Sequence, residues 1–376
     1  MTRGGKPFPK PFIVPIFVPH MGCPHQCVFC NQTSITGSHP DDVLSSITRR
    51  IKEVYGDFAH RPPSHGGAGD PLRVQPRKLS RRQIAFYGGS FTGIEKEVQI
   101  QLLSAVQPLI RKGLIDSIRV STRPDYIDPQ VLALLKTYGV RTVELGVQSM
   151  VQEVLRRSRR GHTADHVLSA VELLHGGDFE VGIQIMVGLP GDDMGRNAST
   201  VDRVIQLNPH FVRIYPTLVV KGTALERLYR SGRYRPLSLE EAVYLCKKAF
   251  LRFHRASIPV IRLGLQSNPE LEATGCVLAG PYHAAFGHLV ESSLFYDMAS
   301  HLMLKHRQYR NVRVTVSPSD VSNIRGQKNR NLHQLKERFG LSDIQIEADE
   351  GQPRGSLILI NGTKVDEVSY RTLPLS

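Results

Sequence analysis

The chain has 376 residues, of which 40% are hydrophobic and 22% are charged, and its formal net charge is +14. No apolar run reaches the roughly 20 residues of a membrane-spanning helix, and the basic, proline-rich N-terminus is not that of a signal peptide, so we expect a cytoplasmic protein with no membrane partner. The positive charge favours a polyanionic partner such as nucleic acid, and a basic surface without such a role is the alternative.

Short apolar runs alternate with amphipathic helical stretches along the first two-thirds of the chain. The predicted strands cover residues 13–18, 83–87, 117–121, 142–147, 180–187 and 211–218, with a further candidate at 259–265. Asp128, Thr163 and Ser238 are predicted to start helices, Ser238 through a capping box. Strands separated by helices are typical of parallel sheets with right-handed crossovers, so we predict an α/β barrel or a doubly wound sheet.

Two regions depart from this rhythm. Residues 56–82 are rich in Gly, Pro and Arg and lack periodicity, so we predict a flexible basic insertion within a core domain of residues 1–290. Residues 301–376 are predicted to form a small α+β module, with strands at 312–316, 344–347 and 356–360 and a helix at 329–339 in the order β–α–β–β. Between residues 305 and 338 the basic residues outnumber the acidic ones: Lys305, Arg307, Arg310, Arg313, Arg325, Lys328, Arg330, Lys336 and Arg338 against Asp320 and Glu337.

Three of the five cysteines, Cys23, Cys27 and Cys30, lie within eight residues directly after the first predicted strand. Thiolates at these spacings can surround one inorganic centre. A tetrahedral zinc site needs a fourth protein ligand, which His20 or His25 could supply. The end of a barrel strand is a place where active sites are built, and a cubane cluster held by three cysteines leaves one iron open for a cofactor. The spacing favours an iron–sulfur cluster, with Cys₃His zinc as the alternative.

The pattern Cys-x₃-Cys-x-aromatic-Cys at Cys23, Cys27 and Cys30 resembles the signature of the radical S-adenosylmethionine (SAM) superfamily. The resemblance implies a partial (β/α)₆ TIM-like barrel, with the small α+β module after it. It also implies that the three cysteines bind a 4Fe-4S cluster whose open iron binds SAM. In that family the reduced cluster cleaves SAM to a 5′-deoxyadenosyl radical, and an electron donor such as a flavodoxin or ferredoxin reduces the cluster.

Later motifs follow in the order that the family uses. Tyr87, Gly88, Gly89 and Ser90 are similar to the turn that receives the methionyl amino group of SAM, although a tight βα turn is the alternative. The motif Ser121-Thr122-Arg123-Pro124-Asp125 ends the third strand, and its arginine and aspartate could equally form a structural pair.

By similarity, Gln148 would bind the SAM ribose and Arg160 its carboxylate. Arg156, Arg157 and Arg159 compete for the second role, and a solvated helix face is the alternative for this arginine run. The residues after the fifth strand, Val187 and Gly188 among them, resemble the motif that contacts adenine through backbone groups. Gln184 stands where many relatives carry an acidic residue that contacts the ribose.

The segment Arg213–Thr223 and the tripeptide at 232–234 resemble the catalytic subunit of Elongator, the complex that modifies wobble uridine in tRNA. The cysteine spacing is closer to oxygen-independent coproporphyrinogen oxidases. No acetyl-CoA-binding motif is found, and the segment after Gly287 is shorter than an acetyltransferase domain, so acetyl transfer is not expected here. The resemblance implies a radical SAM enzyme that modifies tRNA or another RNA. The alternatives are a small-molecule substrate such as a tetrapyrrole, and a non-catalytic, zinc-stabilised RNA-binding protein.

The segment 323–330 is similar to the glycine-containing loop of KH RNA-binding domains but lacks its second glycine. We expect Arg325, Lys328 and Arg330 to contact RNA phosphates, with a barrel-capping module as the alternative. Cys246 falls in a helical pattern and is predicted to be a buried apolar residue. No catalytic acid or base is identified. Pocket residues considered for such a role are Tyr215, Cys276, Tyr282, His283 and Glu291.

Overall fold

The computed structural model describes residues 11–18, 25–31, 49, 81–265, 275–305 and 310–374. Cys23, His20, Arg307 and the predicted insertion up to residue 80 lie outside these ranges. In the described part of the chain, no helix is both long enough and apolar enough to cross a membrane.

Seven strands form the larger sheet, and two short strands form a separate pair. The strands are β1 (Phe12–Val18), β2 (Arg82–Gly88), β3 (Ser117–Thr122), β4 (Val140–Gln148), β5 (Glu180–Val187), β6 (Phe211–Pro216), β7 (Val219–Val220), β8 (Val260–Leu263) and β9 (Val277–Ala279). The sheet order is β1-β2-β3-β4-β5-β6-β8, and β7 pairs with β9 in antiparallel fashion. The registers of β1–β2, β2–β3, β3–β4 and β6–β8 are parallel. The predicted α/β class is confirmed, and the candidate strand at 259–265 joins the sheet as β8.

Helices connect these strands. They are α1 (Lys96–Arg111), α2 (Pro129–Thr137), α3 (Gln152–Arg157), α4 (Ala164–Gly176), α5 (Met194–Gln206), α6 (Ala224–Arg230), α7 (Leu239–Arg255) and α8 (Phe286–Met303). The three predicted starts are confirmed, because the side chains of Asp128, Thr163 and Ser238 each accept a hydrogen bond from a first-turn backbone N–H.

Strands β2 to β4 are buried on both faces but differ in polarity from one face to the other. Gln83, Arg119, Thr142 and Glu144 are buried polar residues on one face, which we call the polar face. The residues between them, such as Ile84, are apolar and face the helices' side of the sheet by the two-residue alternation of a strand. A sheet face that buries polar groups is suited to a polar ligand rather than to a hydrophobic core.

A second, four-stranded sheet contains the C-terminal strands. Its elements are β10 (Asn311–Val316), α9 (Val321–Arg325), α10 (Arg330–Phe339), β11 (Asp343–Ala348), β12 (Ser356–Asn361) and β13 (Lys364–Ser369), and the sheet order is β11-β10-β12-β13. The predicted α+β character is confirmed. The four predicted elements are present, but the order β–α–β–β is incomplete: it lacks α9, which is too short to show a period, and β13, which is largely polar and half exposed. The boundary between residues 290 and 301 stays a prediction.

Two compact units divide the chain. The first draws on Met1–Gln26, Asn31–Val147 and Gly161–Ile183, and the second on Cys27–Cys30, Gln148–Arg160 and Gln184–Ser376. Within the second unit, α7, α8 and the C-terminal strands contribute to one hydrophobic cluster.

Candidate active site

The second half of the cysteine motif forms a tight turn that is anchored at Val28. The N–H of Cys30 donates to the carbonyl of Cys27 at 3.0 Å. Val28 is buried, its N–H donates to the carbonyl of Ser158 at 3.1 Å, and its carbonyl accepts from the N–H of Leu225 at 2.7 Å. These main-chain bonds fix the turn, which presents two thiols of the kind that bind soft metal centres. The first predicted ligand, Cys23, lies outside the described residues.

Arg160 lies against this turn because of how helix α3 ends. Arg159 adopts a left-handed conformation with φ of 53°, and the N–H of Arg160 donates to the carbonyl of Leu155 at 3.0 Å, as in a Schellman motif. The guanidinium Nη1 of Arg160 is 3.1 Å from the Sγ of Cys27. Arg160 is 6% exposed and Cys27 is 5% exposed.

The neighbouring arginines differ from Arg160 in their environment. Arg156 and Arg157 are exposed and pair with Glu153 on the same helix, and Arg159 is exposed. Of the four arginines that the sequence offered for the SAM carboxylate, the structure therefore buries only Arg160.

His25, between the first two cysteines of the motif, is held by the third strand's motif. Its Nε2 is 3.5 Å from an oxygen of Asp125, which accepts two hydrogen bonds of 2.9 Å from Arg123. Burial alone would raise the pKa of Asp125, but the hydrogen bonds and charge of Arg123 outweigh it and lower that pKa below its ordinary value. A Cβ at Gly161 would overlap the imidazole of His25. The Arg123–Asp125 pair thus has a structural use in positioning His25.

The turn after β2 brings glycine close to the neighbouring strand. Gly88 has φ of +119°, and a Cβ there would overlap the carbonyl oxygen of Val18 on β1. Ser90 is buried, and its hydroxyl is 2.8 Å from that of Thr122. Glycine at position 88 is therefore required by strand packing, while the predicted contact of Tyr87, Gly88, Gly89 and Ser90 with the amino group of SAM stays a prediction.

A buried network covers the polar face. Arg119 donates to Glu144 at 2.7 Å and, with two further N–H groups, to Gln83 at 2.9 and 3.1 Å. The hydroxyl of Tyr87 donates to the same carboxylate oxygen of Glu144 at 3.2 Å. Gln83 in turn donates to the hydroxyl of Thr142 at 3.1 Å. Sequence reasoning missed this network, although polar residues at every second position of otherwise apolar strands were its signal.

Gln148 ends β4 in a strained conformation. Its φ is 68°, and among the described residues its buried Oε1 has no hydrogen-bond partner. A buried amide oxygen without a donor is costly, so the position fits a ligand that brings one, such as a ribose hydroxyl. Gln184 lies half-buried in β5. The residues present therefore fit SAM at Gln148, and the thiols of Cys27 and Cys30 fit an iron–sulfur cluster.

The segment after β5 lines a cavity of ≈ 440 Å³. Gly188 donates its N–H to Asp192 at 3.0 Å, and its carbonyl accepts from the hydroxyl of Tyr234 at 2.6 Å. The carbonyl of Val187 accepts from the N–H and hydroxyl of Thr217. Burial raises the pKa of Asp192 to about 6. The lining consists of Arg157, the residues from Gly188 to Asp192, Leu228, Arg233, Tyr234, Arg235 and Leu237.

These contacts bear on the predicted adenine site. The backbone groups of Val187 and Gly188 that were expected to meet adenine already have protein partners. A carbonyl oxygen can accept a second hydrogen bond, so the adenine contact stays a prediction.

A basic turn connects α9 to α10, and we define it as residues 325–330. Arg325, Lys328 and Arg330 are exposed, and within the described ranges they form no ion pair. Asn331 is buried and its side-chain amide donates to the carbonyls of Ser292 and Asn323 at 2.8 and 3.0 Å. The hydrogen bonds of Asn331 therefore anchor the basic turn, and its three cations are exposed to solvent.

The remaining candidates have different surroundings. Cys246 is fully buried, as predicted, and burial raises the pKa of its thiol. The hydroxyl of Tyr215 accepts from Arg213 at 3.3 Å, and Glu291 accepts from Asn323 and Arg354, which assigns that carboxylate to a polar network of the C-terminal region. Cys276, Tyr282 and His283 are half-buried. None of these contacts defines a catalytic acid or base.

The model of the Radical SAM superfamily matches residues 17–204, and that of the Radical_SAM C-terminal domain matches residues 209–295. A tRNA uridine(34) acetyltransferase from Methanocaldococcus jannaschii is 34% identical over 250 residues, which cover 60% of this chain and 46% of that protein. Elongator complex protein 3 from Homo sapiens is 36% identical over 267 residues, with the same two shares. The chain thus spans about half the length of these relatives.

One solved structure supports the fold, and a second is reported for comparison only. Elp3 from the archaeon Methanocaldococcus infernus, with residues 1–46 deleted, has a TM-score of 0.55 at 20% identity, covering 76% of this chain and 63% of that one. Coproporphyrinogen III oxidase (HemN) from Escherichia coli has a TM-score of 0.46 at 18% identity, covering 66% and 53%. The superfamily model covers half of the chain and includes the cysteine turn, Gln148 and Arg160, and from this we conclude that the chain belongs to the radical SAM superfamily of enzymes.

Proposed function

We propose that this enzyme binds a 4Fe-4S cluster through Cys23, Cys27 and Cys30 and cleaves SAM to a 5′-deoxyadenosyl radical. The observation that carries the proposal is the buried thiol of Cys27, which shares a tight turn with Cys30 and accepts a hydrogen bond from Arg160. When bound, the reduced cluster supplies the electron that breaks a carbon–sulfur bond of SAM. The chain's own residues hold the cofactors and keep water away.

The SAM contacts follow from the positions of the predicted residues. The unpartnered Oε1 of Gln148 would accept from a ribose hydroxyl, and the guanidinium of Arg160 would bind the carboxylate. Gln184 and the backbone at Val187 and Gly188 would contact the nucleoside part. The turn from Tyr87 to Ser90 would receive the methionyl amino group.

The proposed substrate is tRNA or another RNA. Two observations support it: relatives that act on tRNA uridine or are Elongator subunits by name, and the exposed cations of the basic turn in the C-terminal module. Exposed lysine and arginine side chains bind phosphates and release counterions. A cytoplasmic location and a flavodoxin or ferredoxin as the electron donor complete the proposal.

The cofactor part is tested by anaerobic purification, reconstitution with iron and sulfide, and incubation with SAM and dithionite. We expect 5′-deoxyadenosine from the wild-type protein and none from Cys27→Ala. Cys246→Ala is the matched control, because that cysteine is buried in α7 and is not part of the motif, so its replacement should leave the product unchanged. A colourless, zinc-containing wild-type protein that leaves SAM intact would overturn the proposal and favour the Cys₃His zinc alternative.

The RNA part is tested by charge reversal. The variant Arg325→Glu/Lys328→Glu/Arg330→Glu should bind tRNA at least about tenfold more weakly at low salt, with a shallower dependence of affinity on salt. Three exposed cations of the first unit provide a control with the same change in net charge: Lys96→Glu, Arg111→Glu and Lys136→Glu combined. Equal affinities of the two triple variants would contradict an RNA surface at the basic turn and favour a small-molecule substrate.

A further inference from the structure

Arg160 is placed against Cys27 by three independent contacts. The Schellman turn fixes its backbone through the carbonyl of Leu155, and the bond from Val28 to Ser158 ties that turn to the cysteine turn. The guanidinium also lies over the ring of Phe29, with its carbon 5.9 Å from the ring centroid. A side chain held in this way keeps its N–H directed at the sulfur.

We propose that Arg160 is a redox-tuning residue, which acts through the sulfur of Cys27 to raise the reduction potential of the cluster. The inference rests on the proposed function, because it requires that Cys27 bind the cluster. It assigns to Arg160 a role that is separate from binding the carboxylate of SAM and that operates before SAM is present.

The physical reason is the charge that reduction adds. One electron makes a cluster with three thiolate ligands more negative, and part of that charge resides on the ligand sulfurs. An N–H donor and a positive charge next to one of them stabilise the reduced state, so they shift the potential upward. Both side chains are nearly buried, and a low local dielectric strengthens the interaction.

Arginine suits this position better than lysine. Its planar guanidinium carries five N–H donors in a fixed arrangement, so one can bind sulfur while others bind a second acceptor. Lysine would keep the charge but as a compact, strongly hydrated group. We therefore expect Arg160→Lys to fall between the wild type and Arg160→Gln.

The experiment is a potentiometric titration of the reconstituted full-length protein without SAM, followed by EPR of the reduced cluster. Dithionite supplies one electron per cluster and is oxidised to sulfite. At the potential that half-reduces the wild type, Arg160→Gln should show about a tenfold lower ratio of reduced to oxidised cluster, which corresponds to about 59 mV for a one-electron couple. Arg156→Gln is the matched control, since its side chain is exposed and pairs only with Glu153 among the described residues.

The outcomes separate this inference from the proposed function. A wild-type protein that assembles no cluster contradicts the proposed function itself. A cluster in Arg160→Gln with the wild-type potential overturns the inference, even if SAM binds more weakly. If the Arg160 variants lose their cluster, pulsed EPR of the reduced wild type labelled with ¹⁵N-arginine decides: a ¹⁵N coupling supports the hydrogen bond to sulfur, and its absence overturns the inference.

Discussion

A single side chain, Asp192, makes the stability of the segment after β5 depend on pH. Asp192 accepts hydrogen bonds from the N–H groups of Gly188 and Asp193, at 3.0 and 3.1 Å, yet burial raises its pKa to about 6 from an ordinary value of 3.8. The folded state therefore binds this proton more tightly than the unfolded state does. The stability that the protonated carboxyl contributes is fully present below the unfolded pKa and is lost as the pH rises through about 6.

The variant Asp192→Asn removes this titration while keeping one acceptor for the N–H of Gly188. We expect the melting temperature of the variant relative to the wild type to increase between pH 5 and pH 7.5. Both melting temperatures are measured by calorimetry at several pH values in this range. A difference between the two proteins that does not change with pH would contradict the assignment.

Gly88 illustrates a residue whose lack of a side chain is structural. In Gly88→Ala, the new Cβ would meet the carbonyl oxygen of Val18 in addition to adopting an unfavourable φ. We expect a loss of at least about 2 kcal/mol in the free energy of unfolding. Gly113→Ala is the control, because Gly113 also has a positive φ but an open surrounding, and it should cost only about 1–2 kcal/mol. Equal losses in urea titrations would show that the overlap with β1 is relieved at little cost.

Strands β3 and β4 bury an ion pair, Arg119 and Glu144, on a sheet face that apolar residues could also have filled. Glu144 is 0% exposed and Arg119 is 3% exposed. Removing one member leaves the other charge buried without its partner, which is the costly case, whereas removing both charges together costs much less.

A double-mutant cycle tests this. Arg119→Leu should lower the free energy of unfolding by about 3–5 kcal/mol. Arg119→Leu/Glu144→Leu should lower it by less than the sum of the two single losses, although Gln83 and Tyr87 would each lose a partner. Additive losses in urea unfolding would mean that the two charges are not coupled.

The elements also show how far the sequence could take the prediction. Residues 180–187 were predicted with the bounds of β5 because a short, mainly apolar run is flanked by polar and glycine residues. Helix α8 was missed because its own apolar residues are spread over all of its faces, so its sequence shows no amphipathic period. The cysteine motif was readable from spacing, but the choice of Arg160 over its neighbours depends on the left-handed turn at Arg159, which spacing does not reveal.

At the scale of the second unit, one core links α7 and α8 to the C-terminal strands. Phe250 of α7, Phe295 of α8 and Tyr370 after β13 stack edge to face, with ring centroids 5.1 and 5.9 Å from that of Tyr370. We expect this core to unfold cooperatively, because each of these elements buries the apolar side chains of the others.

Shortening the chain after residue 305 would uncover the faces of α8 that the C-terminal strands now bury, including Leu294, Met298 and Leu302. We expect the shortened protein to bind 1-anilinonaphthalene-8-sulfonate and to melt at a lower temperature than the full chain. A shortened protein that stays monomeric and melts at the wild-type temperature would show that the C-terminal module is a separate folding unit.

The hydrogen bond from Tyr234 to Gly188 has an optical consequence. The chain contains twelve tyrosines and no tryptophan, so tyrosine emission is not masked by indole. Burial raises the pKa of Tyr234, and its hydroxyl is engaged with a backbone carbonyl, so this phenol should stay un-ionised in alkali for as long as the segment after β5 keeps its conformation. The difference between the alkaline ultraviolet spectra of the wild type and Tyr234→Phe would isolate the ionisation of this one phenol. That difference would then report on ligand entry beside Gly188.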